Sequence, residues 1–127
     1  MTIQGLSFIS KILSENEIPY SFGEWSGEIG YPYFVGDYTE TEPLYEYAET
    51  EDTFMLTGTS RVSDAVLDLE KYKAKIRQLF PPEGLTECFP DGCAIAVMYS
   101  DSSYIPTGTD DLRRIQINLK IKEWRVK

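Results

Sequence analysis

The chain has 127 residues, of which 42% are apolar, and a formal net charge of −9. This length allows one domain over residues 1–127 and is too short for two. The apolar fraction excludes an intrinsically disordered chain. No stretch approaches the roughly 20 consecutive apolar residues that a membrane span needs. The first residues do not follow the order of a signal peptide, so we expect a soluble protein of the cytosol.

The charge is distributed unevenly along the chain. Residues 1–64 contain twelve acids and two bases, whereas residues 65–127 contain nine acids and ten bases. An acidic half joined to a basic end suits head-to-tail self-association. The negative total argues against a nucleic-acid-binding protein, which should show a basic surface.

The sequence contains no histidine. This removes the commonest general base, the commonest metal ligand and every Ser–His or Cys–His nucleophile pair. Catalytic sites that depend on histidine are therefore excluded.

The N-terminal segment predicts a short amphipathic helix. Residues 3–14 carry apolar side chains at helical spacing, Thr2 is a candidate N-cap, and the helix should end near Asn16. Residues 18–25 then predict a short strand.

The segment YPYFVGDYT, residues 31–39, predicts a strand with two alternating faces. Gly36 within it indicates a bulge or a close approach of the backbone. Residues 40–52 follow as an acidic loop with six acids and no base, and residues 53–60 provide a hairpin partner. The two faces of the first strand are Tyr33 and Val35 on one side, and Phe34 and Tyr38 on the other.

Residues 60–80 predict a long helix with one apolar stripe at the 3.6-residue period. Ser60 or Ser63 can cap its start, and the segment after Phe80 begins with two prolines that stop it. A loop that contains Cys88–Cys93 follows. The stripe consists of Val62, Ala65, Val66, Leu69, Tyr72, Ile76, Leu79 and Phe80.

The remaining sequence predicts two strands. Residues 94–100 form a continuous apolar run, and apolar and polar side chains alternate over residues 115–122. Trp124 and Val126 fall on the opposite parity, so either a bulge resets the register near Lys122 or this pair faces away from the sheet. The order of elements predicts an α+β fold: a mostly antiparallel sheet of four to five strands, one long helix packed on one face and a short N-terminal helix.

Cys88 and Cys93 are the first candidates for chemistry. Zinc would need two more ligands, and histidine is absent. A disulfide is unexpected in a reducing cytosol. We therefore interpret them as ordinary thiols near a turn.

The acidic run is the second candidate. Calcium loops need a turn glycine among regularly spaced ligands, and no glycine lies between Gly36 and Gly58. A solvated, like-charged loop and a loop that contacts a partner both remain open. Leu44, Tyr45 and Tyr47 favour partner contact, because a purely solvating loop has little use for such side chains.

Two further features have ordinary explanations. Residues 58–61 precede the long helix, whose N-terminus could bind an anion, but they lack the P-loop pattern and predict helix capping. The many aromatic residues could stack on bases, but the charges around residues 31–38 are acidic. Core packing and a tyrosine-rich interface account for them better.

Four stretches together resemble a known family: YPYFVGDYTETEP, TFMLTGTSR, DLEKYKAKIRQLF and the closing LRRIQINLKIKEWRV. In order and character they resemble the tail-completion or tail-terminator proteins of long-tailed bacteriophages and prophages, over nearly the whole chain. The resemblance implies an α+β subunit that assembles into a ring, commonly a hexamer, at the head-proximal end of the tail tube. There it stops tube growth and meets the head–tail connector protein.

The resemblance implies no cofactor, no catalysis and no membrane partner. The chain would act in the host cytoplasm during assembly and then in the virion tail, with itself, the tail tube protein and the connector as partners and no sequence-specific nucleic acid. An acidic DNA mimic that inhibits a DNA-binding enzyme is the alternative, and a small-molecule hydrolase or transferase is a third hypothesis for which no residue spacing speaks. The predicted contact residues are Glu40, Glu42, Tyr45, Glu46, Tyr47, Glu49, Arg113, Arg114, Lys120, Lys122, Trp124 and Arg125.

Overall fold

The fold is given by a computed structural model, which describes residues 1–25, 27–28, 30–40, 50–61, 64–109 and 111–124. Within these residues, two helices and six strands follow one another. In order they are α1 (Ile3–Glu15), β1 (Tyr20–Phe22), β2 (Tyr33–Thr39), β3 (Thr50–Ser60), α2 (Ala65–Leu79), β4 (Leu85–Cys88), β5 (Ala94–Ile105) and β6 (Arg113–Trp124).

All six strands form one sheet in the order β1-β2-β3-β6-β5-β4. Only the β1–β2 pair is parallel, and the other pairs are antiparallel. The predicted α+β class and the mostly antiparallel sheet are confirmed. The predicted count of four to five strands is too low, because β4 occupies a stretch that we expected to be a loop.

Strand β6 lies at the centre of the sheet and carries the clearest sequence pattern. Its side chains at alternate positions, Ile115, Ile117, Leu119 and Ile121, are fully buried. Burial of each such side chain contributes roughly 1.5–3 kcal/mol. The predicted alternation is therefore confirmed, and it defines a core face that both helices cover.

Helix α1 forms where its sequence pattern predicts. The Thr2 hydroxyl accepts a hydrogen bond from the Gly5 amide at 2.9 Å, as an N-cap should. Phe8, Ile9 and Leu13 face the core, and the helix ends at Glu15.

Helix α2 begins at Ala65, five residues later than predicted. Ser60 is not a cap: it is the last residue of β3, pairs with Arg113 and is fully buried. Extended pairing with β6 therefore takes precedence over the helical pattern at this residue. The N-cap is Asp64, whose side chain makes no capping hydrogen bond. Ser63 and Val62 lie outside the described residues.

The predicted apolar stripe of α2 is confirmed only in part. Leu69 and Ile76 are fully buried, as is Phe80 just beyond the helix, and Tyr72 packs against Phe34 with ring centroids 5.5 Å apart. Val66, however, is 44% exposed, although Ala65 directly before it is buried.

Two glycines allow aromatic rings to lie against the core face of the sheet. Pairing between β2 and β3 runs without a register shift past Gly36, so Gly36 is a close approach and not a bulge. A Cβ atom there would lie 2.6 Å from the Phe54 ring. Gly58 lies directly opposite Phe34, and a Cβ atom there would lie 2.3 Å from that ring. The shift in register occurs elsewhere, in β5 between Tyr99 and Asp101.

The end of β6 decides between the two predicted alternatives for Trp124. Pairing continues without interruption from Lys122 to Trp124, so no bulge lies there. Glu123 is 4% exposed on the core face, and Trp124 is 40% exposed on the other face. Trp124 therefore points away from the core, while Val126 lies outside the described residues.

Neither helix is long and apolar enough to cross a membrane, within the part of the chain that the structure describes.

Candidate interaction site

The acidic segment leaves and rejoins the sheet at one end. Glu40 follows β2 directly, and Thr50 begins β3 opposite Glu123. The predicted acidic loop over residues 40–52 is therefore too long at its end, because residues 50–52 pair with β6 as part of β3. Half of the predicted contact residues fall where the structure gives no description: Glu42, Tyr45, Glu46, Tyr47, Glu49 and Arg125.

The two acids that flank this segment contact the amino group of Met1. Asp52 is 2% exposed, and its Oδ2 atom lies 3.3 Å from the amino nitrogen. Glu40 accepts a hydrogen bond from the same group, while about half of its own side chain stays exposed. Among the described residues, no donor hydrogen-bonds to the Asp52 carboxylate, so the ion pair is the main compensation for its burial.

A third acid, Glu123, joins the start of α1 to the end of β6. Its Oε1 atom accepts from the Thr2 amide at 3.1 Å, and its Oε2 atom accepts from the Thr2 hydroxyl. The carboxylate thus lies at the positive end of the α1 dipole. We did not predict a role for this residue from the sequence. Its position two residues after Ile121 places it on the same, core-facing side of the strand, and this was the available clue.

The predicted basic contact residues do not form one cluster, because they lie towards opposite ends of β6. Lys120, Lys122 and Trp124 lie on the face of the sheet opposite the core, near the end where the acidic segment rejoins β3. Lys122 is paired with Glu51 in register. Arg113 and Arg114 begin the same strand. Eight residues separate Arg114 from Lys122, which corresponds to roughly 26 Å along the strand.

Neither of the two described helices covers the face of β2, β3, β6, β5 and β4 that points away from the core, which we call the open face. Its side chains are mainly polar and bond to one another. Asn118 donates to Asp101 Oδ1 at 2.8 Å, and Gln116 donates to Asn118 Oδ1 at 3.1 Å. The members of the face on the two central strands are Thr53, Met55, Thr57, Thr59, Arg114, Gln116, Asn118, Lys120, Lys122 and Trp124.

A groove of about 480 Å³ lies at the arginine end of the sheet. We call it the arginine groove. The turn between β5 and β6 forms one wall, and the start of α2 forms the other through Val66. Arg113 is exposed, whereas Arg114 is half-buried and donates from Nε to Thr59 Oγ1 at 3.2 Å. The sequence predicted the two arginines as contact residues but not the groove, because Val66 was expected to be buried.

Tyr104 lines this groove and takes part in a small network with α2. Its hydroxyl donates to Glu70 Oε1 at 3.1 Å, and Lys73 Nζ lies 2.7 Å from Glu70 Oε2. Partial burial, followed by the bond to Glu70, raises the pKa of Tyr104 to about 12. The hydrogen bond from Lys73 holds the pKa of the exposed Glu70 carboxyl below its usual value.

Alkaline titration provides a test of these tyrosine environments. Burial also raises the pKa of Tyr20 to about 12. Because the folded-state values lie above the ordinary value of about 10, the stability contributed by these two neutral phenols is fully present below about pH 10 and is lost as the pH rises towards 12. We expect a late phenolate absorbance step that Tyr20→Phe and Tyr104→Phe each reduce by one phenol. The step should disappear in denaturant, and a late step that both variants leave unchanged would contradict this.

Cys88 and Cys93 are both free, with Cys88 exposed and Cys93 partly so. They lie on either side of a tight turn closed by the Phe89 amide and the Cys93 carbonyl oxygen at 2.8 Å. The predicted position beside a turn is confirmed. Within the described residues, no three His, Cys, Asp or Glu side chains come together as a set that could hold a metal ion.

Comparison with known proteins finds a similar fold and identifies no family. No protein-family profile and no characterised protein sequence matches the chain. One solved structure, which bears a sequence identifier instead of a functional name, superposes with a TM-score of 0.71. The match covers 100% of this chain and 99% of the other at 17% sequence identity. The chain therefore has the fold of a solved protein, and at this identity the likeness extends to fold alone.

Proposed function

We propose that the chain is a structural subunit of a long-tailed phage or prophage tail, which assembles into a ring that caps or completes the tail tube and joins it to the head. It would act by assembly and without catalysis. The resemblance in element order and character suggests the family, and the open face supports a role in assembly.

The single observation that carries the proposal is the size and character of the open face. Five strands of unequal length contribute to it, and at ~4.8 Å between strands and ~3.3 Å per residue it spans roughly 700 Å². A standard protein interface buries about 800 Å² per partner. A sheet face of this size, left uncovered by both helices, can serve one subunit contact or the wall of a ring.

The alternative of a DNA-mimicking inhibitor receives less support. A mimic must display its carboxylates to solvent at spacings that imitate phosphates. Asp52 and Glu123 are instead buried and held by Met1 and Thr2. Salt-sensitive inhibition of a nuclease or methylase would be the result that favours this alternative.

The test is tail assembly with and without the protein. We expect tubes formed in its absence to lose their defined length by electron microscopy, and the purified chain to bind tube ends. Light scattering at several salt concentrations should detect the mass of a ring that weakens as salt rises, if charge contacts contribute. A chain that stays monomeric with tubes at low salt, together with tubes of normal length in its absence, would contradict the proposal.

A surface variant relates this test to the open face. Thr57→Lys/Ser103→Lys adds two charges to that face at positions that are partly or fully exposed, so it should fold normally and fail to assemble. Ser14→Lys/Gln78→Lys adds the same charge at exposed helical positions and should assemble like the unmodified chain. If the two variants assemble equally well or equally poorly, the open face is not the surface used in assembly.

A further inference from the structure

The arginine groove has a composition that fits an acidic peptide with apolar side chains. Arg113 and Arg114 line it, and among the described residues no carboxylate does. Its apolar lining is also accessible, since Val66 and Tyr104 are 44% and 41% exposed. A guanidinium pair beside exposed apolar surface binds carboxylates in bidentate geometry while neighbouring aromatic or aliphatic side chains bury the apolar part.

Three described carboxylates close to the groove contact other groups. Asp111 Oδ2 lies 3.9 Å from Arg61 Nε, and Asp68 accepts from the Ser60 hydroxyl at 3.3 Å. Glu70, as described above, is bound by Tyr104 and Lys73. These acids flank the groove without lining it, and among the described lining residues the only formal charges are those of the two arginines.

One segment of the chain itself has the complementary composition. Residues 41–49, TEPLYEYAE, contain three acids, no base, one leucine and two tyrosines. Carboxylates for the arginines and apolar side chains for Val66 therefore occur within nine residues.

The segment cannot reach the groove of its own chain. It joins Glu40 to Thr50, and Thr50 pairs with Glu123, nine residues along β6 from Arg114, or roughly 30 Å. Its middle residue lies five residues from either end, and a fully extended chain of five residues spans at most about 18 Å. Docking must therefore occur between two copies.

We propose that residues 41–49 of one subunit bind in the arginine groove of a neighbouring copy. This proposal rests on the proposed function in one respect: the contact would be the one that repeats between the subunits of the ring. It is heterologous, because different surfaces of the two copies meet, and such contacts generate rings when the rotation closes.

Charge exchange between two full-length variants tests this contact. The groove variant carries Arg113→Glu/Arg114→Glu, and the segment variant carries Glu42→Lys/Glu46→Lys. Each has like charges on both sides of the contact, so self-association by sedimentation velocity should weaken at least tenfold. An equimolar mixture should restore association, since each groove then meets a segment of opposite charge.

The matched control is Lys71→Glu/Lys75→Glu, which has the same charge change as the groove variant but lies on α2 outside the groove. It should associate like the unmodified chain. The proposal is overturned if the unmodified chain does not associate, or if the mixture is no stronger than its separate components. Circular dichroism establishes that each variant is folded.

These outcomes also separate the contact from the proposed function. Restored association in the mixture, with no effect of the protein on tail tubes, would support the contact and refute the tail role. Normal action on tubes by the groove variant would refute the contact and leave the tail role standing.

Discussion

Replacing Gly58 with alanine should lower the free energy of unfolding by about 3 kcal/mol, at the upper end of the usual overpacking cost. The new Cβ atom would lie 2.3 Å from Cε1 of Phe34 and 2.8 Å from two more atoms of the ring. Phe34 is fully buried and touches Tyr72 of α2, so the ring has no space into which it can move. A loss of this size is a large part of the roughly 5–15 kcal/mol that stabilises a typical domain.

Urea unfolding followed by circular dichroism measures this loss. Gly30→Ala is the control, because a Cβ atom at Gly30 meets nothing within 4 Å, and it should change stability by less than about 0.5 kcal/mol. In a Phe34→Ala background the ring is gone, so Gly58→Ala should then cost little. Equal cost in both backgrounds would show that the ring contact is not the cause.

Replacing Glu123 with alanine should also cost about 3 kcal/mol. The substitution removes the acceptors for the Thr2 amide and hydroxyl, leaves a part-buried donor unpaired and removes a negative charge from the start of α1. Because these bonds join positions 121 residues apart, their loss should loosen α1 from the end of the sheet.

The comparison of Glu123→Ala with Glu123→Gln distinguishes hydrogen bonding from charge. Glutamine keeps one acceptor oxygen, so we expect it to retain roughly half of the lost stability. Glu87→Ala, at an exposed glutamate of β4, is the control and should lie within about 0.5 kcal/mol of the unmodified chain. Hydrogen exchange should accelerate selectively in α1 of the alanine variant. Uniform exchange would contradict the local role of Glu123.

The elements that the sequence predicts well are those in which local pattern and tertiary burial agree. The alternation around Ile117 and Leu119 is unbroken because β6 is paired on both sides and covered on one face. The start of α1 at Thr2 is predicted well for a similar reason, because the capping residue and the apolar spacing indicate the same helix boundary.

The failures lie where tertiary pairing decides. Strand β4 has only Leu85 partly buried and three exposed residues, so its sequence carries no strand pattern, and its pairing with β5 defines it. Ser60 suits a helix cap, yet pairing with Arg113 makes it the end of a strand. Glutamate is an unusual core residue, so the alternation that places Glu123 on the core face conflicts with its charge, and only its partner at the other end of the chain explains the burial.

The candidate site was predictable in composition and not in arrangement. The sequence identified Arg113, Arg114, Lys120 and Lys122 as one basic end. The two pairs lie far apart along one extended strand. A single sequence does not show which neighbouring strands lie beside each pair. The arginine groove depends on where α2 begins, which is the boundary that sequence analysis missed.

The central position of β6 has a consequence for biosynthesis. Strand β3 obtains its second neighbour only from β6, the last strand in chain order. After Ser60, at the end of β3, 64 more residues are added before β6 is complete at Trp124, which takes a ribosome roughly 3–13 s at ~5–20 residues per second. During that time the growing chain exposes an eleven-residue strand edge to other nascent chains. The time for which the edge of β3 can pair wrongly with another nascent chain therefore depends on how fast the ribosome translates the residues from α2 to the end of β6.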